Sequence, residues 1–118
     1  MGDFKNIMVS DGVVKDIIRQ GGPTKVKAGE TITVHCTGSL AGNPPKKFWS
    51  TKDPGQQPFS FAVGLGKVIK GWDEGCLSMS KGEIALLKIR SDKGYGKSGF
   101  PAWGITPNAD LEFEIEIL

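Results

Sequence analysis

The clearest alternation of apolar and polar residues lies at the end of the chain. Between Leu111 and Ile117 every second residue is apolar, and a glutamate occupies each position between them. Successive side chains of a strand point to opposite faces, so this pattern predicts a β-strand with one buried face and one solvated face.

The same periodicity predicts further strands earlier in the chain. In the stretch 31–37, Ile32, Val34 and Cys36 fall on the core face, whereas His35 falls on the outer, surface-facing side. Shorter apolar stretches bounded by turn residues predict strands at 13–19, 46–50, 59–63 and 84–90, and a first strand between residues 4 and 9.

One segment, residues 68–77, has the spacing of a helix. Ile69, Trp72 and Cys76 share one face of this segment. Gly71 and Gly75 each cost about 1 kcal/mol relative to alanine inside a helix, so tertiary packing has to hold this helix in place.

Residues 91–108 form an irregular segment, the late loop, which contains six glycines and prolines. A loop of that length in a small domain is more often functional than idle.

Together these elements predict the α+β class. The connections are too short for parallel crossovers, so we expect an antiparallel sheet of about five or six strands with one short α-helix. The length of 118 residues suits a single domain, and 17 glycines agree with a turn-rich sheet. We place the domain at residues 13–118 and assign residues 1–12 to an N-terminal arm.

Charge and cysteine content narrow the functional classes. The 15 basic and 13 acidic residues are interspersed, which predicts neither a nucleic-acid partner nor a membrane partner. The first residues lack an apolar signal region, so we expect a cytoplasmic protein. Cys36, Cys76 and the single histidine lack the spacing of a metal site, so we expect no metal and no cofactor, and interpret both cysteines as reduced core residues.

Several short motifs that suggest other functions lack residues that those functions require. Gly96-Lys97-Ser98 resembles the end of a phosphate-binding loop, but Ser91 stands where that loop needs a glycine. The turn Gly64-Leu65-Gly66-Lys67 lacks the third glycine of a dinucleotide site. With one histidine in the chain, a hydrolytic triad is not expected either.

Aromatic residues form a stronger pattern. They come from separate segments of the chain, and three of them, Tyr95, Phe100 and Trp103, lie in the long late loop. Loops run over the surface, so large rings in a loop are typical of a groove that binds an apolar ligand.

Five motifs occur in order along residues 13–118, namely Val34-His35-Cys36-Thr37-Gly38, Lys47-Phe48, Pro58-Phe59-Ser60-Phe61, Val68-Ile69-Lys70-Gly71-Trp72-Asp73-Glu74-Gly75 and Tyr95-Gly96. In this order they resemble the family of FK506-binding proteins, which are peptidyl-prolyl cis-trans isomerases. The resemblance implies a half-open sheet wrapped around the short helix, with the binding pocket between them.

The resemblance also implies the site residues. Trp72 would be the floor of the pocket, and Tyr95 would contact a bound carbonyl with its hydroxyl. The catalytic set implied is Tyr95, Trp72, Phe48 and Phe113. The substrate- and inhibitor-binding set implied is Cys36, Phe59, Phe61, Val68, Ile69, Phe100, Trp103 and Ile105.

The sequence departs from the family pattern at three points around this pocket. Cys36 stands where many members have tyrosine, Trp49 where many have aspartate, and Phe100 where many have histidine, while one residue is inserted near Trp103. The pocket is therefore expected to be more hydrophobic than is usual in the family, with its activity retained because the apolar floor is complete.

The implied partners are proline-containing peptides and proteins, and macrolides of the FK506 and rapamycin type. Ternary complexes with calcineurin or the TOR kinase are also implied. We expect a monomer, with self-association through the Pro44-Pro45 loop or the loop around Pro101 as an alternative. Two further alternatives stay open, namely a non-catalytic module that binds proline motifs and a redox switch formed by Cys36 and Cys76.

Overall fold

Seven antiparallel strands and one α-helix form the fold in the computed structural model, which describes residues 5–118. The strands are β1 (Ile7–Ser10), β2 (Val13–Arg19), β3 (Thr31–Leu40), β4 (Lys46–Ser50), β5 (Phe59–Ala62), β6 (Ile84–Ile89) and β7 (Leu111–Ile117). The helix α1 (Lys70–Leu77) lies between β5 and β6 in the sequence. The late loop contains three short 3-10 turns at Ser91–Lys93, Gly96–Ser98 and Pro101–Trp103.

The order of strands across the sheet is β1-β2-β6-β7-β3-β4, and all pairs are antiparallel. The strand β3 also pairs with β5, so β4 and β5 follow one another along the same edge of β3. Residues 31–34 of β3 pair with β5, and residues 37–40 pair with β4. With β7 on the other edge of β3, aromatic residues of β4, β5 and β7 meet on one face of the sheet.

The predicted class is confirmed, and the arm adds a seventh strand to the expected five or six. Within the predicted arm, β1 pairs with β2, and the Ser10 hydroxyl donates a hydrogen bond to Glu74 of α1. The remainder of that arm, residues 1–4, lies outside the described residues, and so does the predicted start of its strand at Phe4.

The helix begins at Lys70, two residues later than the spacing predicted. Ile69 has extended backbone angles (φ −59°, ψ 153°), and its carbonyl accepts hydrogen bonds from the N–H groups of Trp72 and Asp73. Val68 and Ile69 are consequently loop residues that lead into the first turn of α1.

The predicted inward positions form the core. Ile32, Val34 and Cys36 of β3 are buried, as are the apolar residues that alternate with glutamate along β7. His35 lies on the outer face of β3, but it is half-buried because its Nδ1 is 2.9 Å from the Thr51 hydroxyl. No helix among residues 5–118 is long and apolar enough to cross a membrane.

The two glycines of α1 allow the helix to lie close to the sheet. A Cβ atom on Gly71 would come within 2.5 Å of Ile89, and one on Gly75 would come within 2.5 Å of Leu87. Real Cβ contacts are not this short, so alanine at either position would push α1 away from β6. Their cost in helix propensity is therefore offset by a closer packing of helix on sheet.

Candidate active site

An apolar pocket of about 340 Å³ opens beside the first turn of α1. Its walls come from β4, β5, β7, the loop before α1 and the late loop, which the fold brings to one end of the sheet. The residues that line it are Trp49, Phe59, Lys67, Val68, Ile69, Trp72, Tyr95, Trp103 and Phe113. The volume is at the small end of the range for ligand sites in proteins, which suits a group the size of a proline and its neighbours.

Trp72 lies at the base of this pocket and is only 3% exposed. The ring of Phe113 meets it edge-on at 5.3 Å between centroids, and Phe61 and Phe59 follow at 5.6 and 5.9 Å. The indole N–H of Trp72 is buried and has no hydrogen-bond partner among the described residues. The floor is thus held rigidly by aromatic contacts, while its single polar atom remains unpaired.

Three tryptophans form a stack that leads from the floor to the surface. The ring of Trp49 lies 6.3 Å from Trp72 and 5.6 Å from Trp103, with interplanar angles of 29° and 22°. Trp103 is 41% exposed, whereas Trp72 is buried. One wall of the pocket is therefore a continuous aromatic surface.

Tyr95 is the residue of the late loop that brings a hydroxyl to the pocket. Its ring stacks on Phe100 at 5.4 Å, and its hydroxyl forms no hydrogen bond with any described residue. Partial burial raises the pKa of Tyr95, so the hydroxyl keeps its proton at neutral pH and can donate.

An ion pair ties the late loop to the helix near Tyr95. The Lys93 ammonium lies 2.8 and 2.9 Å from the two carboxylate oxygens of Glu74. The hydrogen bond from Lys93, followed by that from Ser10, lowers the pKa of Glu74. Glu74 and its neighbour Asp73 have different partners, and neither lines the pocket.

Asp73 shapes the opposite rim. Its carboxylate oxygens accept hydrogen bonds from the N–H groups of Gly64 at 2.8 Å and Gly66 at 2.9 Å. Both glycines have positive φ angles, 81° and 73°, which other residues adopt only with strain. This turn leads directly into Lys67, Val68 and Ile69, which line the pocket. The N–H of Ile69 donates no hydrogen bond to any of the described residues.

Three predicted residues lie just behind the walls. Phe48 stacks on Trp103 at 6.1 Å, Phe61 stacks on Phe59 at 5.6 Å, and Phe100 meets Trp103 edge-on at 5.1 Å. These rings support the wall instead of forming it.

A glycine in β3 leaves room for this second layer of rings. A Cβ atom on Gly38 would meet the ring of Phe113 at 2.6 Å and that of Phe48 at 2.8 Å. The sheet can therefore accept both rings only because residue 38 has no side chain.

Two other predicted binding residues, Cys36 and Ile105, are not among the residues that line the pocket. Each is 2% exposed and belongs to the core. Ile105 exchanges backbone hydrogen bonds with Phe100 and so fixes the late loop from below. Of the twelve residues in the predicted site, the structure brings seven into the pocket wall, namely Phe59, Val68, Ile69, Trp72, Tyr95, Trp103 and Phe113.

The predicted site omitted two residues that line the pocket, Trp49 and Lys67. Trp49 was noted only as a departure from the family pattern, although its position beside Phe48 on β4 gave a signal. Lys67 follows directly after the turn Gly64-Leu65-Gly66, next to the predicted binding residue Val68. Adjacency to Val68 is the sequence signal for Lys67.

Both cysteines are free and buried. Burial raises the pKa of the Cys36 thiol to about 12 and also raises that of Cys76, so both thiols are protonated at neutral pH. Residues 5–118 contain no cluster of histidine, cysteine, aspartate or glutamate side chains that could hold a metal ion. The residues that line the pocket can supply desolvation, aromatic contact and hydrogen bonding.

Comparison with known proteins identifies the family. Residues 22–118 match the model of the FKBP-type peptidyl-prolyl cis-trans isomerases. The chain is 58% identical over 108 residues to the peptidyl-prolyl cis-trans isomerase FKBP12 of Arabidopsis thaliana and to that of Vicia faba, covering 91% of this chain and 96% of each relative. It is 47% identical over 108 residues to a peptidyl-prolyl cis-trans isomerase of Schizosaccharomyces pombe, covering 91% of this chain and 93% of the relative.

The chain belongs to the family of FKBP-type peptidyl-prolyl cis-trans isomerases. These matches confirm the resemblance seen in the sequence motifs and the predicted enzyme class. Peptidyl-prolyl cis-trans isomerase is the enzyme class that these matches name.

Proposed function

We propose that the aromatic pocket is where this chain isomerises X-Pro peptide bonds, with Trp72 as its floor. The observation that carries the proposal is the position of Trp72, which is 3% exposed at the base of the pocket and surrounded by the rings of Trp49, Phe59, Phe61 and Phe113. A proline ring is apolar and compact, so it would bury its surface against this floor without any new polar contact.

The reaction itself requires no bond to break. Rotation about the amide C–N bond has a barrier of about 20 kcal/mol, because the planar amide is stabilised by resonance. In the twisted transition state this resonance is lost and the carbonyl carries less charge. An apolar site disfavours the polar planar amide more than the twisted one, so transfer into the pocket lowers the barrier.

Two donors at the rim would orient the substrate. The hydroxyl of Tyr95 and the N–H of Ile69 both lack acceptors among the described residues, and both belong to residues that line the pocket. Substrate carbonyls on the two sides of the proline could accept from them, which would hold the chain still while the proline ring rests on Trp72.

The test is an isomerisation assay on a short proline peptide. We expect Trp72→Leu to lower kcat/KM by at least about tenfold, or roughly 1.4 kcal/mol of transition-state stabilisation. Ile18→Ala is the matched control, because Ile18 is 58% exposed on β2 and does not line the pocket. Far-ultraviolet circular dichroism would establish that both variants fold.

Full activity in folded Trp72→Leu would overturn the assignment of the floor. Binding of the proline peptide without any turnover in the wild type would instead support the non-catalytic module. Tyr95→Phe removes the hydroxyl alone and, on this proposal, raises KM or lowers kcat without changing the fold.

The proposal includes binding of FK506-type macrolides in the same pocket. A relative from Yarrowia lipolytica, named FK506-binding protein 1, is 44% identical over 105 residues, covering 89% of this chain and 94% of that protein. Because Trp72 and Trp49 would contact the ligand, FK506 should change tryptophan fluorescence and inhibit the isomerase at the same concentrations. Fluorescence change without inhibition would place the macrolide elsewhere.

The proposal extends to proteins that would bind the complex with a macrolide. Phe59, Phe100 and Trp103 are each more than a third exposed at or beside the mouth, so a bound macrolide would extend an apolar surface on which calcineurin or the TOR kinase could dock. Affinity capture with and without the drug tests this step.

We further propose that the protein is a cytoplasmic monomer, which cell fractionation and sedimentation at several concentrations would check.

A further inference from the structure

Lys67 is the one charged residue among those that line the aromatic pocket. It is exposed at the rim, between the fixed turn at Gly64 and Gly66 and the pocket residue Val68. No carboxylate lines the pocket, so nothing within its walls neutralises this lysine.

The nearby acidic groups are already engaged with other partners. Asp73, which lies in the first turn of α1, accepts two backbone hydrogen bonds through its two oxygens, and Glu74 pairs with Lys93. Among residues 5–118, the ammonium of Lys67 forms neither a hydrogen bond nor an ion pair, although seven other basic side chains do form ion pairs.

An unpaired ammonium beside an apolar pocket is a recognition element for an anion. Aromatic walls lower the local dielectric, so a carboxylate brought next to Lys67 would be attracted more strongly than at an open surface. The aromatic walls select only for apolar surface and supply no other charge, so this lysine would set the charge preference of the site.

We propose that Lys67 is a specificity-determining residue that selects proline segments with an aspartate or glutamate close to the proline. This inference rests on the proposed site for isomerisation. A residue of extended peptide spans about 3.3–3.6 Å, and a lysine side chain is roughly as long as two such steps, so the acidic residue lies within about two positions of the proline. The partner is a peptide or protein segment that carries a carboxylate.

The experiment uses peptides that differ at one position. Glutamate is placed at each of the two positions before and after the proline, and each peptide is matched with its glutamine counterpart. For the wild type we expect one position at which kcat/KM for the glutamate peptide exceeds that for the glutamine peptide by about three- to fivefold, the upper range for a single exposed ion pair. Raising the salt concentration should reduce this ratio.

Variants of Lys67 then test its role in the preference. We expect Lys67→Met to bring the ratio close to one and Lys67→Glu to invert it, so that a lysine at the same peptide position becomes favoured. Lys25→Met is the matched control, because Lys25 is an exposed lysine that does not line the pocket, and it should leave the ratio unchanged.

A ratio within about twofold of one at all four positions in the wild type would overturn the inference, as would a preference that survives in Lys67→Met. Because the readout is a ratio within each protein, a general loss of activity in a variant does not affect it. Failure of the proposed site is recognised separately, since Trp72→Leu would then retain activity on the glutamine peptides.

Discussion

The two ends of helix α1 differ in the polar groups that are buried beside them. At its start, Trp72 forms the floor of an open pocket, and its indole N–H is left without a partner among the described residues. Beyond its last residue, a buried ion pair joins Lys15 of β2 to Glu83, with 3.0 Å between Nζ and Oε2. Both charged residues are 4% exposed, so this closed end buries full charges, whereas Lys67, the one charged residue that lines the open pocket, is exposed.

The two buried charges at the closed end each have a further hydrogen-bond partner. The Lys15 ammonium also donates to the carbonyl of Ser78 at 2.9 Å, where α1 ends, and Glu83 accepts from the N–H of Ser80 at 3.1 Å. Buried charges are tolerated only when every partner is present. At the open end the buried donor without a partner, the Trp72 N–H, is uncharged and costs far less to leave unpaired, while the unpaired ammonium of Lys67 is exposed to water.

The largest expected effect comes from breaking the ion pair at the closed end. Glu83→Ala would leave the Lys15 ammonium buried without its carboxylate, and we expect the free energy of unfolding to fall by about 3–5 kcal/mol. Urea denaturation followed by tryptophan fluorescence measures the change.

The control for this prediction replaces both partners. Lys15→Met combined with Glu83→Leu removes both charges and should recover most of the loss, because apolar residues of similar volume can replace a buried pair. If Glu83→Ala costs less than about 1 kcal/mol, water reaches the pair and the end of the helix is not closed.

The sequence predicts the residues at the start of α1 but not the ion pair beyond its end. The alternation along β7 predicted that Phe113 faces inward, and the helical spacing at 68–77 placed Trp72 on the packed face, so the floor of the pocket could be predicted. Lys15 and Glu83 carried no such signal, because a charged residue in a strand is normally assigned to the solvent face. Their pairing depends on β2 and β6 lying side by side, which only the folded sheet determines.

Trp49 illustrates a second limit of the sequence. Its stack between Trp72 and Trp103 requires β4 to lie on the edge of β3 and the late loop to fold across it. Periodicity within one five-residue strand does not contain that information. Resemblance to the family did not supply it either, because many members have aspartate at this position.

At the open end, a change at the rim should affect activity more than stability. Trp103 is 41% exposed and stacks on Trp49, so Trp103→Ala removes part of the substrate wall while removing little from the core. We expect kcat/KM on a proline peptide to fall by about tenfold, equivalent to roughly 1.4 kcal/mol. Trp103→Phe keeps an aromatic surface and should retain most of the activity.

The opposite result for Trp103→Ala would be a loss of several kcal/mol of unfolding free energy with its activity unchanged. The rim would then be part of the structural core, as the closed end is. Measuring kcat/KM and urea unfolding on the same preparation separates the two results.

The smallest effect concerns Cys36, which lies in the core of the sheet without lining the pocket. Burial raises the pKa of this thiol to about 12 in the folded chain, whereas an unfolded cysteine has a pKa near 8.5. Below about pH 8 both states hold the proton and stability does not depend on this group. As the pH rises toward 9 the unfolded chain loses protons first, so the free energy of unfolding falls, by roughly 1 kcal/mol from this thiol.

Cys36→Ala tests whether the interior behind the open end is as dry as that at the closed end. The variant is expected to be less stable at every pH because it leaves a small cavity, but its decline between pH 7.5 and pH 9 should be smaller than that of the wild type by roughly 1 kcal/mol. Parallel pH profiles for the two proteins would mean that the thiol titrates near its unfolded pKa. Water would then reach Cys36, and the aromatic floor would not seal the core from the pocket.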